Sequence, residues 1–221
     1  MINVIAIDGP AGSGKSTIAK SVAKNMGYLY IDTGAMYRAL TLKAVKNSID
    51  LNSGKELVAL SGKTDIKLVT SKDGLKVLLD GEDVSSAIRE LAVSEKVKYI
   101  AKVRGVREHM VRMQRELGRS ADGAVLEGRD IGTVVFPDAR HKFFMDASFD
   151  ERVARRFKEL KDRSVDCTRE EVAKDLKERD ESDINRKVGP LKKAEDAERI
   201  DTTDMTIDEV VTEILGRVRG K

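Results

Sequence analysis

Apolar residues fall along this chain in two rhythms: short β-branched runs, and longer stretches in which they recur every three or four positions. Residues 2–7 make the first run, end in Asp8-Gly9-Pro10, and predict a buried parallel strand feeding a loop. From Ser16 onward, Ile18, Ala19, Val22, Ala23 and Met26 repeat at helical spacing until Gly27, a natural stop. Residues 28–32 predict a second strand. Thr33 is expected to cap the helix that follows, which runs through Met36, Leu40 and Val45 to about Ser48.

The middle of the chain changes character. Residues 65–69 and 75–79 alternate apolar and polar positions around Ser71-Lys72-Asp73-Gly74, the pattern of an antiparallel hairpin inserted into a helix-and-strand protein. Two charged helices are predicted over 86–102 and 106–117, and further strands over 123–126 and 141–145. Ser148 with Glu151, Thr168 with Glu171, and Thr206 with Glu209 have capping-box spacing and mark three later helix starts. The last of these carries a continuous apolar stripe through Ile207, Val210, Val211, Ile214, Leu215 and Val218. Residues 151–193 are dominated by Arg, Lys, Asp and Glu, and most of those charges read as the solvated faces of amphipathic helices. Strand-helix alternation predicts an α/β, doubly wound, mostly parallel sheet that binds ligands at the carboxyl ends of its strands.

Composition narrows the partners more than the fold. In 221 residues, 40% hydrophobic and 36% charged, the 41 Lys and Arg nearly balance the 38 Asp and Glu, so the net +3 gives no reason to expect a nucleic-acid or membrane partner. Anion recognition must be local. Cys167 is the single cysteine, which excludes an intrachain disulfide and suits a reducing compartment; no long apolar run suggests export or a membrane span, so a cytoplasmic protein is expected.

Gly9-Pro10-Ala11-Gly12-Ser13-Gly14-Lys15-Ser16, followed by Thr17, has the spacing of a phosphate-binding P-loop. Between a buried strand and a helix, such a loop turns successive backbone N–H groups and a helix N-terminus toward an anion. Lys15 then reaches the β- and γ-phosphates of a nucleotide and the Ser16 hydroxyl ligates magnesium. Two more strands end in chemistry. The second leads into Asp32-Thr33-Gly34-Ala35-Met36-Tyr37-Arg38, and the third into Glu127-Gly128-Arg129-Asp130-Ile131-Gly132-Thr133. Farther on, Arg179, Asp183 and Arg186 are spaced to share a helix face, and Arg152, Arg155, Arg156 and Arg163 form a basic run before them. His109 and His141 are the only histidines, so neither a Ser-His-Asp nor a Cys-His arrangement is in prospect.

The blocks IDGPAGSGKST, IDTGAMYR, GVRE, EGRDIGTVVFPDA, ERD followed by DINR, and IDTT occur in this order. Together they resemble the bacterial cytidylate kinases, in the longer form with a hairpin inserted in the monophosphate-binding region, over residues 5–211. The resemblance implies a nucleoside monophosphate kinase fold. Its parts would be a core with the P-loop (1–38), a monophosphate-binding subdomain with the hairpin (39–104), more core (105–150), a helical lid (151–193) and a last core segment (194–221). It implies ATP and Mg2+ as cofactors, CMP and dCMP as substrates, and a monomer. Thr33, Arg38, Arg129 and Arg186 would contact the monophosphate, Arg107 and Asp130 the cytosine, and Arg179 and Asp183 the sugar and phosphate region. Arg155 or Arg156 would approach the ATP phosphates, and Glu127, where several relatives carry Asp, would hold a water on magnesium. Val97-Lys98-Tyr99 stands where relatives often have a serine near the base. A P-loop kinase for another small acceptor, such as UMP, AMP or shikimate, shares the loop and fold and differs only in this second site.

Overall fold

The computed structural model describes residues 3–71 and 74–220. Strand β1 (Val4–Asp8) leads to helix α1 (Lys15–Met26), β2 (Leu29–Asp32), α2 (Thr33–Lys46) and α3 (Gly54–Ser61). Strands β3 (Ile66–Ser71), β4 (Gly74–Leu79) and β5 (Glu82–Asp83) follow, then α4 (Leu91–Ala101) and α5 (Arg104–Arg119). The last third holds β6 (Ala124–Gly128), β7 (His141–Asp146), α6 (Phe149–Asp162), α7 (Arg169–Asn185), β8 (Glu198–Asp201) and α8 (Ile207–Arg219).

Five strands form one parallel sheet in the order β2-β6-β1-β7-β8. Side chains of β1 point alternately to its two faces. Ile5 and Ile7 pack with Ile18 and Val22 of α1 and Ile214 of α8, whereas Val4 and Ala6 pack with Met36 and Leu40 of α2 and Met110 of α5. Both faces are therefore covered, which is why all five residues of β1 are buried and why the run is apolar rather than alternating. The chain leaves β1 toward β2 on one side and later places β7 on the other. The end of β1 is thus a topological switch point, where open α/β sheets form a crevice.

Outside this sheet, β3, β4 and β5 make a small antiparallel sheet. The hairpin pattern marks this element, although its turn residues Lys72 and Asp73, like Met1 and Ile2, lie outside the described residues. Helices α6 and α7 build their own small core from Val153, Leu160, Val172 and Leu176, joined there by Ala11. Among the described residues no helix is long and apolar enough to cross a membrane.

Several sequence expectations need correction. Asp32, not Thr33, caps α2: its carboxylate accepts the N–H of Ala35 at 2.7 Å, and a carboxylate at a helix N-terminus also gains from the helix dipole. The helix expected over 86–102 is broken at Glu90, whose extended backbone separates a 3-10 turn, Ala87–Arg89, from α4 and lets Ile88 turn into the core. The Thr168 and Thr206 capping boxes are complete, but at Ser148 only half the box forms, because the Glu151 carboxylate is taken by Arg155 at 2.8 Å. Helix α3, capped by Ser53, and strand β8 have no counterpart in the sequence reading.

Gly118, inside α5, offers a test of packing against propensity. Alanine in a helix interior gains up to about 1 kcal/mol over glycine, but a Cβ here would lie 2.7 Å from Cζ of the buried Phe136 ring. Overpacking of that kind costs about 1–3 kcal/mol. Gly118→Ala should therefore lower stability by about 1 kcal/mol, read as a lower urea midpoint at unchanged slope. A raised midpoint would show that the ring yields and propensity wins.

Candidate active site

The glycine-rich loop leaves β1 beside β7. A Cβ on Gly9 would lie 2.0 Å from the Met145 carbonyl oxygen, so only glycine lets the loop depart at this point. Gly14 then starts α1 with no side-chain cap, leaving the N–H groups of the first turn without an internal partner. Lys15 is folded back on its own loop, with Nζ donating to the Pro10 carbonyl at 2.6 Å and to Ser13 Oγ at 3.2 Å. Burial and the nearby Arg129 push the Lys15 ammonium down to about 7, against the opposing pull of Glu127, Asp8 and Asp183. Beside it, the Glu127 carboxylate accepts from Tyr30 Oη at 2.5 Å and from the Ser16 hydroxyl; burial, and then Asp32, raise its pKa.

The second half of the site is built on the ends of β2 and β6. The register pairs Asp32 with Glu127 and Asp8 with Gly128, so three acidic residues reach the same sheet edge. Thr33 Oγ1 donates to the Glu127 carbonyl at 2.7 Å and ties α2 to β6. Arg38 folds back on Asp32 at 3.1 Å rather than pairing one turn along its helix. Arg129 donates through Nε to Asp183 at 2.7 Å, and Arg186 Nη1 reaches the other oxygen of the same carboxylate at 3.2 Å. Burial works against ionisation of Asp183, but Arg129, Arg186 and Arg179 outweigh it and hold the carboxyl below its ordinary range. Arg179 and Asp183 lie on α7; Arg186, expected on the same helix face, is instead the extended residue that ends the helix. There its Nε donates to the Gly189 carbonyl and its Nη2 lies 3.7 Å from Asp130. Asp130 in turn accepts from Arg107, which is almost fully buried and lies 5.5 Å from the centre of the Tyr37 ring.

Most of these groups, though not Asp8, Tyr30 or Gly189, line one cavity of about 890 Å³. Every expected site residue lines it except Gly9 and Pro10, which are buried beneath the loop. Arg155 lies over the loop and bonds both the Thr202 hydroxyl and carbonyl, whereas Arg156 is paired with Glu159 at 2.8 Å. Arg163 also lines the cavity; Arg152 does not. Sequence reasoning missed Asp8. Its two oxygens accept the N–H groups of Ile131 and Gly132, each at 2.8 Å, and so fix the loop that carries Arg129 and Asp130. An acid closing an apolar strand, directly before the glycine loop, is the signal that points to it.

A parallel α/β sheet with a glycine-rich phosphate loop at its switch point, opening into an arginine-lined cavity, defines a P-loop kinase. Comparison with known proteins narrows the class. The family model described as Cytidylate kinase matches residues 5–220, and the chain belongs to the cytidylate kinase family. The cytidylate kinase of Caldanaerobacter subterraneus subsp. tengcongensis is 49% identical over 222 residues, covering 99% of this chain and 97% of its own length. That of Desulforamulus reducens is 52% identical over 218 residues, covering 98% and 97%. Among solved structures, an uncharacterized protein from Eubacterium ventriosum ATCC 27560 shares the fold, with a TM-score of 0.53 at 13% identity over 100% of both chains.

Asp8 carries a pH signature. Burial raises its pKa from 3.8 to about 6, even though the two backbone N–H bonds lower it. Because the folded value lies above the unfolded one, the stability Asp8 contributes is full below its unfolded pKa and is lost as pH rises through about 6. Asp8→Asn removes this titration. The unfolding free energy of the wild type relative to the variant should fall by about 2–3 kcal/mol between about pH 4 and about pH 7. A pH-independent difference between the two proteins would show that Asp8 stays ionised throughout.

Proposed function

We propose that the protein transfers the γ-phosphoryl group of ATP to CMP and dCMP, forming CDP and dCDP. The observation that carries this reading is the single cavity in which the phosphate loop and the buried Arg107–Asp130 pair face a common space. Family membership supports it, and so do the names of the relatives. One chain supplies every group the reading needs, so a monomer suffices.

In this reading Gly9 to Thr17 bind the donor phosphates, with Arg155 and Arg156 approaching them from α6. Lys15 leaves the Pro10 carbonyl for the phosphates, whose charge restores the full protonation that burial opposes. Ser16 and Glu127 are hard oxygen donors already bonded to each other, and among the described residues no group of three or more His, Cys, Asp or Glu is arranged to hold a metal ion by itself. Such a sparse set suits Mg2+, which keeps several waters and takes its remaining ligands from phosphates. Ser16 would bind it directly and Glu127 through water, and the ion would offset charge on the donor phosphates.

Thr33, Arg38, Arg129 and Arg186 hold the acceptor phosphate, and Arg179 and Asp183 reach the sugar and phosphate region. The second ionisation of a phosphate monoester lies near ~6, so the attacking oxygen is already anionic at neutral pH and needs no general base. The remaining barrier is electrostatic, since two polyanions must meet in line, and positioned cations lower it. Residues 39–104 form the monophosphate-binding subdomain and 151–193 the lid. The small separate core of α6 and α7, and the exposed Lys98–Glu178 pair at 3.2 Å that joins α7 to α4, support a lid able to part from the rest.

A panel of CMP, dCMP, UMP, AMP and shikimate with ATP tests the assignment directly: CMP and dCMP should turn over fastest, and a preference for any other acceptor overturns it. Lys15→Met should reduce turnover by about a thousandfold or more in a protein that stays folded by circular dichroism, because the charge acts chiefly in the transition state. Near-normal rates in the folded variant would remove Lys15 from the chemistry.

Asp130 and Arg107 are the proposed readers of cytosine. Cytosine offers an exocyclic amine where uracil offers a carbonyl, and a fixed carboxylate accepts from the first and opposes the second. Each buried polar group left unpaired costs about 1–3 kcal/mol, about one to two orders of magnitude in specificity. Asp130→Asn, whose amide donates to a carbonyl, should lower the ratio of CMP to UMP turnover by about tenfold or more. Equal losses for both substrates would mean that Asp130 orders the loop and does not read the base.

A further inference from the structure

Arg152 lies on α6 but outside the cavity, and its guanidinium is committed to three acceptors. Nε donates to the Ala147 carbonyl at 3.2 Å, while Nη1 donates to the Ala11 carbonyl at 3.0 Å and to the Asp180 carboxylate at 2.6 Å. The three partners belong to the turn before α6, the phosphate loop and α7. The side chain is 9% exposed and stacks on Phe149 at 5.3 Å, so these bonds are shielded from water. The loop fits closely against the same residue. Gly12 has φ +78°, and a Cβ there would lie 3.0 Å from the Arg152 carbonyl oxygen and 3.1 Å from Arg152 Cβ. Ala11 packs among Val153, Leu160, Val172 and Leu176.

The bond to Ala11 has a directional consequence. In a trans peptide the carbonyl and the following N–H point to opposite sides. Holding the Ala11 carbonyl toward Arg152 therefore turns the Gly12 N–H away from α6, and Gly12 lines the cavity. A guanidinium with fixed donor directions can hold this peptide and a carboxylate together, which the point charge of a lysine cannot do in the same geometry. We propose that Arg152, held by Asp180, is a positioning residue for the donor nucleotide: it orients the Ala11–Gly12 peptide of the phosphate loop without touching the substrate. The inference rests on the reading of this loop as the ATP site, but it does not depend on which acceptor is used.

The test measures binding of a nonhydrolysable ATP analogue with Mg2+, and separately of CMP, to the full chain carrying Asp180→Asn, Arg152→Lys or both. Each single variant should weaken the ATP analogue by about tenfold and leave CMP within about twofold. The double variant should lose no more than either single one, because both act on one peptide. Additive losses, equal weakening of CMP, or unchanged affinity for the analogue would each overturn the proposal. Val172→Ala, which loosens the same α6–α7 core without removing either partner and lies outside the cavity lining, separates positioning from general destabilisation. It should lower the melting temperature while affecting the analogue less than Asp180→Asn does, and the reverse order would refute the assignment. Failure of the kinase reading would show differently, as wild-type protein that binds the analogue but transfers nothing to CMP.

Discussion

Arg129 and Arg186 lie together in a buried cleft only because the Asp183 carboxylate stands between them, one oxygen bonded to each. Without it, two cations that have lost most of their hydration would repel across a short gap, and removing one partner of a buried pair costs several kcal/mol, about 3–5. The arrangement extends beyond these three. Arg186 also approaches Asp130, and Asp130 holds Arg107, so positive and negative groups alternate from α7 into α5. Helix α7 buries only Val172 and Leu176, both in the small core it shares with α6. Its contact with the sheet side of the cavity is therefore largely ionic.

The phosphate loop obeys the same economy. Lys15 bonds the Pro10 carbonyl, and Ser16 and Tyr30 both bond Glu127, so these buried polar groups are satisfied locally. Such partners lower the cost of keeping a buried ammonium and a buried carboxylate near each other. On the proposed reading, an incoming phosphate exchanges these side-chain bonds and in addition meets the first-turn N–H groups of α1, which have no internal partner. Asp8 adds stiffness of another kind. By fixing the two N–H groups after Asp130 it ties the end of β1, where the glycine loop begins, to the loop that carries Arg129 and Asp130.

Much of this is legible in the sequence because the decisive features are local. A glycine-rich loop between an apolar strand and a helix is specified within a dozen residues, and the capping pairs at Thr168 and Thr206 lie three positions apart. What is not legible depends on distance along the chain. Nothing near Asp8 reveals that its partners are Ile131 and Gly132, 123 and 124 positions away. Likewise Arg152 sits in a run with Arg155 and Arg156, yet tertiary packing turns Arg152 under the loop while the other two face the cavity. Thr33 misleads for a subtler reason. Asp32 and Thr33 are both good caps, and the choice is made by the Glu127 carbonyl, which claims the threonine hydroxyl.

The mutual bond of Arg107 and Asp130 bears on how the proposed base site discriminates. Each is the other's principal charged partner, and both are almost wholly buried. A base that enters must either share this pair or part it, and parting it leaves a buried guanidinium and a buried carboxylate that both require new partners. On the proposed reading, cytosine meets both requirements, since it offers a donor to the carboxylate and acceptors to the arginine. At the position of cytosine's exocyclic amine, uracil presents a carbonyl and meets only the second. The selectivity then comes less from the strength of the correct bonds than from the internal pair that a wrong base cannot replace, and so the specificity of the site depends on the ion network that also holds α7 in place.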